Sequence, residues 1–171
     1  MRRLLIAVIA GLFVALGSMA QGLSGAALLA IMNQPDVQSI DKYVSAKGYQ
    51  LLDWTDETDA FANNVWGINV GYYRNGRFLP KNSSKPMYML IVEFTGTYGN
   101  NMYGPPARLK YRPSTLAGMR SVLSYFRKSG YKNIGYDYVG AHVYHKSGAK
   151  YNMHYHESGR TIYLIPAADE M

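Results

Sequence analysis

The chain has no cysteine, which excludes disulfides, thiolate metal sites and a cysteine nucleophile together. Acid is scarce as well: 11 Asp and Glu stand against 18 Lys and Arg in 171 residues, a formal net charge of +7. Enzyme signatures are missing too. There is no Gly-x-Ser-x-Gly elbow, no phosphate-cradling glycine loop and no His-Glu-x-x-His pair, so the expectation is a protein that is not an enzyme. What the chain does have is tyrosine (16) and glycine (17), within a composition 48% hydrophobic and 17% charged. That balance suits a folded domain and excludes wholesale disorder, and the length suits one domain rather than two.

Residues 1–20 read as a signal peptide. Arg2 and Arg3 open it, positions 4–16 form an uncharged apolar run, and Ser18-Met19-Ala20 supplies the small residues that a signal peptidase reads. The run falls short of the roughly 20 apolar residues of a membrane helix. The reading is therefore cleavage after Ala20, a single mature domain over 21–171 with no membrane span, and a periplasmic or secreted location. Export without disulfides points to a bacterial envelope.

An internal repeat organises the rest. SIDKYVSAKGY at 39–49 is answered by SVLSYFRKSGY at 121–131. Val37, Ile40, Tyr43 and Val44 fall at helical spacing, as do Met119, Val122, Tyr125 and Phe126. Pro35 suits a first turn, Ser114 an N-cap, and Gly48 and Gly130 the left-handed residue that closes a helix. Tyr49 and Tyr131 should fold back on the last turn. Strands are expected near 50–55, 64–73, 86–95 and 107–111 after the first helix, and near 136–145, 150–157 and 160–166 after the second. The fold class is thus α+β: two tandem helix-plus-antiparallel-strand repeats (about 33–111 and 114–167) forming one sheet with helices packed on one face. In outline this is similar to the duplicated helix-plus-sheet units of the β-lactamase inhibitory proteins. No residue motif of that family is matched, so the likeness concerns architecture and implies no function. Residues 22–32 are either a short core helix or a loose terminus, and 96–106, carrying Tyr98 and Tyr103, is expected to be a contact loop or a mobile one.

All four histidines lie within 142–156. Alternation with Val139, Ala141 and Val143 inward turns Tyr138, His142 and Tyr144 outward, and a turn at Ser158-Gly159 pairs Tyr155 with Ile162 and His154 with Tyr163. His142 then opposes His154, with His156 on the same face. Three imidazoles so placed could hold a divalent transition metal such as zinc or copper. The simpler reading of this face, with no cofactor at all, is a contact surface built on Tyr138, Tyr144 and Tyr163.

Charge is uneven. Positions 94–136 hold no acid, while Arg108, Lys110, Arg112, Arg120, Arg127, Lys128 and Lys132 accumulate there. Such a field attracts an acidic partner. Export sets nucleic acid aside and leaves another envelope or extracellular protein. Asp53, Asp56, Glu57 and Asp59 form an acidic turn without the glycine and spacing of a calcium loop. The functional expectation is an exported binding or inhibitory module, with metal binding through His142, His154 and His156 or carbohydrate binding through tyrosine stacking as alternatives.

Overall fold

The computed structural model describes residues 22–52, 64–74, 77–98 and 101–167, with only the backbone described in 72–74, 77, 95–98 and 101–104. Residues 1–20, read as the export leader, and the acidic turn 53–59 lie outside the described residues.

The protein is α+β. Among the described residues three helices, α1 (Gly25–Met32), α2 (Val37–Ser45) and α3 (Leu116–Lys128), accompany ten strands. Eight of these make one antiparallel sheet. Its first four are β1 (Gln50–Leu52), β2 (Asn64–Ile68), β5 (Tyr88–Tyr98) and β6 (Asn101–Arg112). They continue into β10 (Thr161–Pro166), β9 (Tyr151–His156), β8 (His142–His145) and β7 (Lys132–Tyr136), in that spatial order. β3 (Val70–Arg74) and β4 (Arg77–Pro80) pair separately. After α2 the chain meanders inward from one sheet edge, and after α3 it meanders inward from the other. The two meanders meet where β6 pairs with β10.

The helix ends follow local rules. Asp36 caps α2 by accepting from Ser39 N at 2.7 Å, and Thr115 caps α3 by accepting from Gly118 N at 3.0 Å, one residue beyond the expected Ser114. Gly48 (φ +85°) and Gly130 (φ +92°) take the left-handed conformation. Tyr49 N then reaches Val44 O at 3.2 Å, and Tyr131 N reaches Phe126 O at 3.1 Å, satisfying carbonyls that each helix leaves open. Both tyrosines are buried, and the ring of Tyr131 packs edge-on to that of Phe126 at 5.0 Å.

Register assigns the faces. Directly opposed residues share a face, and one row crosses all eight strands: Leu51, Trp66, Leu90, Tyr111, Ile162, Tyr155, His142, Tyr136. Its central members join Leu28 and Ile31 of α1, Ile40 and Val44 of α2, and Met119, Val122 and Phe126 of α3 in one core. Residues 22–32 thus resolve as a core helix. α1 is tied down by Leu23 N donating to Tyr111 Oη at 2.8 Å. Tyr49 Oη bonds the same hydroxyl at 3.5 Å, and burial pushes the Tyr111 phenol up to about 12.

Three expected segments are drawn differently. The run 64–73 breaks at Asn69 (φ +58°), whose side chain accepts from Asn82 N and donates to Asn82 O and Lys85 O, so β3 leaves the main sheet. The run 136–145 breaks at a turn over 137–140. Of the stretch 96–106, residues 96–98 and 101–106 are strand rather than loop, with Gly96 opposite Tyr103 and Tyr98 opposite Asn101 in the β5–β6 pair, and 99–100 lie outside the described residues. Pro106 sits opposite Phe94 where the ladder shifts register, the irregular position that a strand proline requires.

Candidate functional site

Asp137 organises the end of the molecule where tyrosine and histidine gather. Its backbone N–H donates to Ala141 O at 2.9 Å, and its carbonyl accepts from Gly140 N at 3.0 Å. Its Oδ1 accepts from Val139 N at 3.0 Å and Ala141 N at 2.9 Å, closing the β7–β8 turn. Its Oδ2 meets His154 Nδ1 at 2.8 Å, a pair with side chains only 16% and 14% exposed. Burial pushes the Asp137 carboxyl up, but the bonds from His154, Ala141 and Val139 together outweigh it and hold it below the usual carboxylate range. The strand neighbour of His154 is Tyr163, whose phenol is raised by burial and then by the charge of Asp137. Lys110 Nζ sits 5.7 Å from the centre of the Tyr163 ring.

The turn so pinned displays Tyr138 and Val139, 100% and 57% exposed. Just before it, β7 is the edge strand of the sheet among the described residues. Asn133 opposes Tyr144 and Gly135 opposes Val143, so Ile134 is the extra residue of a bulge. Ile134 is 62% exposed and Tyr136 69%, which completes a strip of four large apolar side chains within six positions. Lysines stand at the start of the same strand: Lys132 lies opposite His145, and the Lys146 chain passes close to Gly130.

The expected three-histidine face does not form. β8 pairs His142 with Tyr155, Val143 with His154 and Tyr144 with Met153, one residue away from the expected opposition of His142 and His154. A one-residue slip inverts a strand, so His142 and Tyr144 point to the helix side while His154 and His156 stay on the other. Among the described residues no group of three His, Cys, Asp or Glu could hold a metal ion. Tyr144 is a second correction, because it is 2% exposed and packs in the core rather than on a contact face. Arg127 makes that burial feasible by donating to Tyr144 Oη at 2.7 Å and lying 5.5 Å over its ring. The β9–β10 register is as expected: Tyr155 pairs with Ile162, His154 with Tyr163 and His156 with Thr161, through a turn over 157–160. Tyr163 lies half-buried on the face away from the helices, and Tyr138 is exposed at the turn. The side chains of Tyr98 and Tyr103 lie outside the described residues.

The sequence also gave no notice of a groove of about 410 Å³ on the helix side, between α3 and the β7–β9 end of the sheet. Arg120, Ser124 and Arg127 line it from one face of α3, at spacings of four and three, and His142, Tyr144 and Tyr155 line it from the strands. On its rim Arg120 Nη2 meets Glu157 Oε1 at 3.1 Å. His142 Nδ1 is engaged by Asn133 Nδ2 at 3.1 Å, and the Tyr136 ring tilts over the imidazole at 4.4 Å. The spacing of Arg120, Ser124 and Arg127 was legible as one helical face, but which strand it faced was not. No protein-family model, no curated protein and no solved structure matches this chain.

Proposed function

We propose that this chain is an exported, non-catalytic binding module that docks an acidic protein partner on β7 and the turn after it. The observation that carries the reading is that Ile134 and Tyr136 on the edge strand, and Tyr138 and Val139 on the turn after it, are each more than half exposed. Large apolar side chains left exposed within so short a segment are what interaction sites present and what a solitary domain tends to avoid. Tyrosine suits the role, since it offers a large, rigid, amphipathic contact at low entropic cost. An acidic partner fits the basic residues Lys128, Lys132 and Lys146 around the start of β7, and Asp137 is already engaged by His154. The bulge at Ile134 and the nearby lysines work against indiscriminate edge-to-edge pairing, so recognition rests on side chains rather than on an added strand.

Export rests on the leader-like residues 1–20. The same reading takes the two helix-plus-meander units as copies of one ancestral unit, supported by the 82-position offset that relates the sequences ending at Tyr49 and Tyr131 and by their matching caps.

The test is a photo-crosslinker at position 138 in the mature chain, exposed to the envelope or extracellular fraction. One acidic protein should be trapped, and the double variant I134S/Y136S should lose it while melting as the parent does. A polysaccharide adduct, or retention of the same protein by the double variant, overturns the reading.

A further inference from the structure

We infer that the groove between α3 and the β7–β9 end of the sheet is a receptor site for a single carboxylate borne on an apolar group. The argument is a balance of donors and charge, and it shares only Tyr136 with the docking strip. Arg127 has no carboxylate partner among the described residues, and its guanidinium is held in place by Tyr144 Oη at 2.7 Å. A planar fork oriented in this way matches a carboxylate with two parallel donors and loses little freedom on binding. His142 adds a donor: Asn133 Nδ2 donates to its Nδ1, which leaves Nε2 as the nitrogen that offers N–H. The Ser124 hydroxyl supplies a third polar group between the two arginines.

Charge limits what fits. Arg120 is already matched by Glu157 at 3.1 Å, so Arg127 is the one guanidinium of the groove without a carboxylate beside it among the described residues. A monoanion neutralises it. A phosphate dianion would leave net negative charge beside Glu157. The remainder of the ligand has apolar and aromatic surface to lie against, because Leu123 lines the groove and the exposed Tyr136 ring tilts over the His142 imidazole at 4.4 Å. The ligand class is therefore a monocarboxylate carrying an aromatic or aliphatic group, either free or as an acidic side chain beside an apolar one in a peptide.

The experiment titrates the mature protein with N-acetylphenylalanine, followed by NMR shifts of the His142 ring and by calorimetry. Its uncharged amide and inorganic phosphate serve as comparisons, and a capped Phe-Glu dipeptide amide separates a free ligand from a peptide source. Expected are His142 shifts with the acid, at least tenfold weaker binding of the amide, and weaker binding of phosphate than of the acid. R127M should weaken the acid at least tenfold. Y144F, which keeps every charge but releases the guanidinium, should weaken it severalfold, and E157Q should tighten it. K85M, in the exposed turn after β4, should leave it unchanged, with melting temperatures confirming that each variant folds. Binding of the dipeptide as well as the acid marks a peptide source, and binding of the acid alone marks a free ligand. The inference falls if acid and amide bind alike, if R127M or Y144F binds as the parent does, if K85M costs as much as R127M, or if phosphate binds more tightly than the acid.

Discussion

The two halves of the sheet begin from similar instructions and end with different surfaces. Each has a capped helix closed by a left-handed glycine, a tyrosine tucked under its last turn, and a four-strand meander. In the first half the meander is interrupted at Asn69 by the β3–β4 hairpin. Val70 then lies so close to Gly67 that a Cβ there would collide with it, and Val65 and Met89, which point away from the helices, are buried all the same. The second half has no such insertion. Its corresponding face carries half-buried His154, Tyr163 and His156, and its edge carries the exposed strip. The same local rules can thus close both faces of a sheet or leave one available, and the β3–β4 hairpin, which brings Val70 against Gly67, belongs to the closed half alone.

Four experiments break or sharpen that comparison. Val44 and Phe126 occupy matching positions, both fully buried, so truncation tests whether the halves form one cooperative core. F126A should cost about 4 kcal/mol and V44A about 2 kcal/mol in chemical denaturation, each with a single transition. Two separable transitions would break the core into independent units. Next, G48A and G130A should each cost about 1 kcal/mol, since each places a Cβ at positive φ. Unequal costs would show that one cap is held by more than its backbone.

The third test is pH, and it concerns the second half only. The folded Asp137 carboxyl lies below its ordinary value, so its contribution is complete above the unfolded pKa near 4 and disappears as pH falls through the lower folded one. D137N should melt a few degrees below the parent at pH 7, and the gap should close under strong acid. A gap independent of pH would mean that the turn depends on shape rather than on the carboxylate. The smallest effect is expected on the strip itself: Y138S should change stability by less than about 0.5 kcal/mol, because its ring is fully exposed. A larger loss, measured by denaturant titration, would place Tyr138 in the fold and take it out of the docking strip.

What the sequence made legible was local. Helical stripes, both glycine caps and the β9–β10 register follow from residues within a few positions of one another, and each is present. The parity of β8 depended on things that lie elsewhere. Asp137 spends residues 137–141 on a turn held by a histidine seventeen positions away, and Ile134 inserts one bulge residue into β7. Tyr144 can be buried in place of Val143 because Arg127 on α3 reaches its hydroxyl. A period-two pattern carries no record of such a partner. The 64–73 run misled in a related way: apolar alternation continues through Asn69 although the strand changes sheets there. In 96–106, Gly, Asn and Pro disguised a strand pair whose ladder tolerates them at shifts of register.

The seating of α1 has a consequence for how the molecule is made. The backbone N–H of Leu23 bonds a hydroxyl 88 positions later, and the carbonyl of Met32 accepts from Tyr151 across 119. The earliest described segment to leave the ribosome must therefore wait for nearly the whole polypeptide before its place exists, and long-range closure of that kind is slow. A chain that stays unfinished until its last third arrives remains threadable during that interval, which is the condition in which a protein can be passed through a narrow pore.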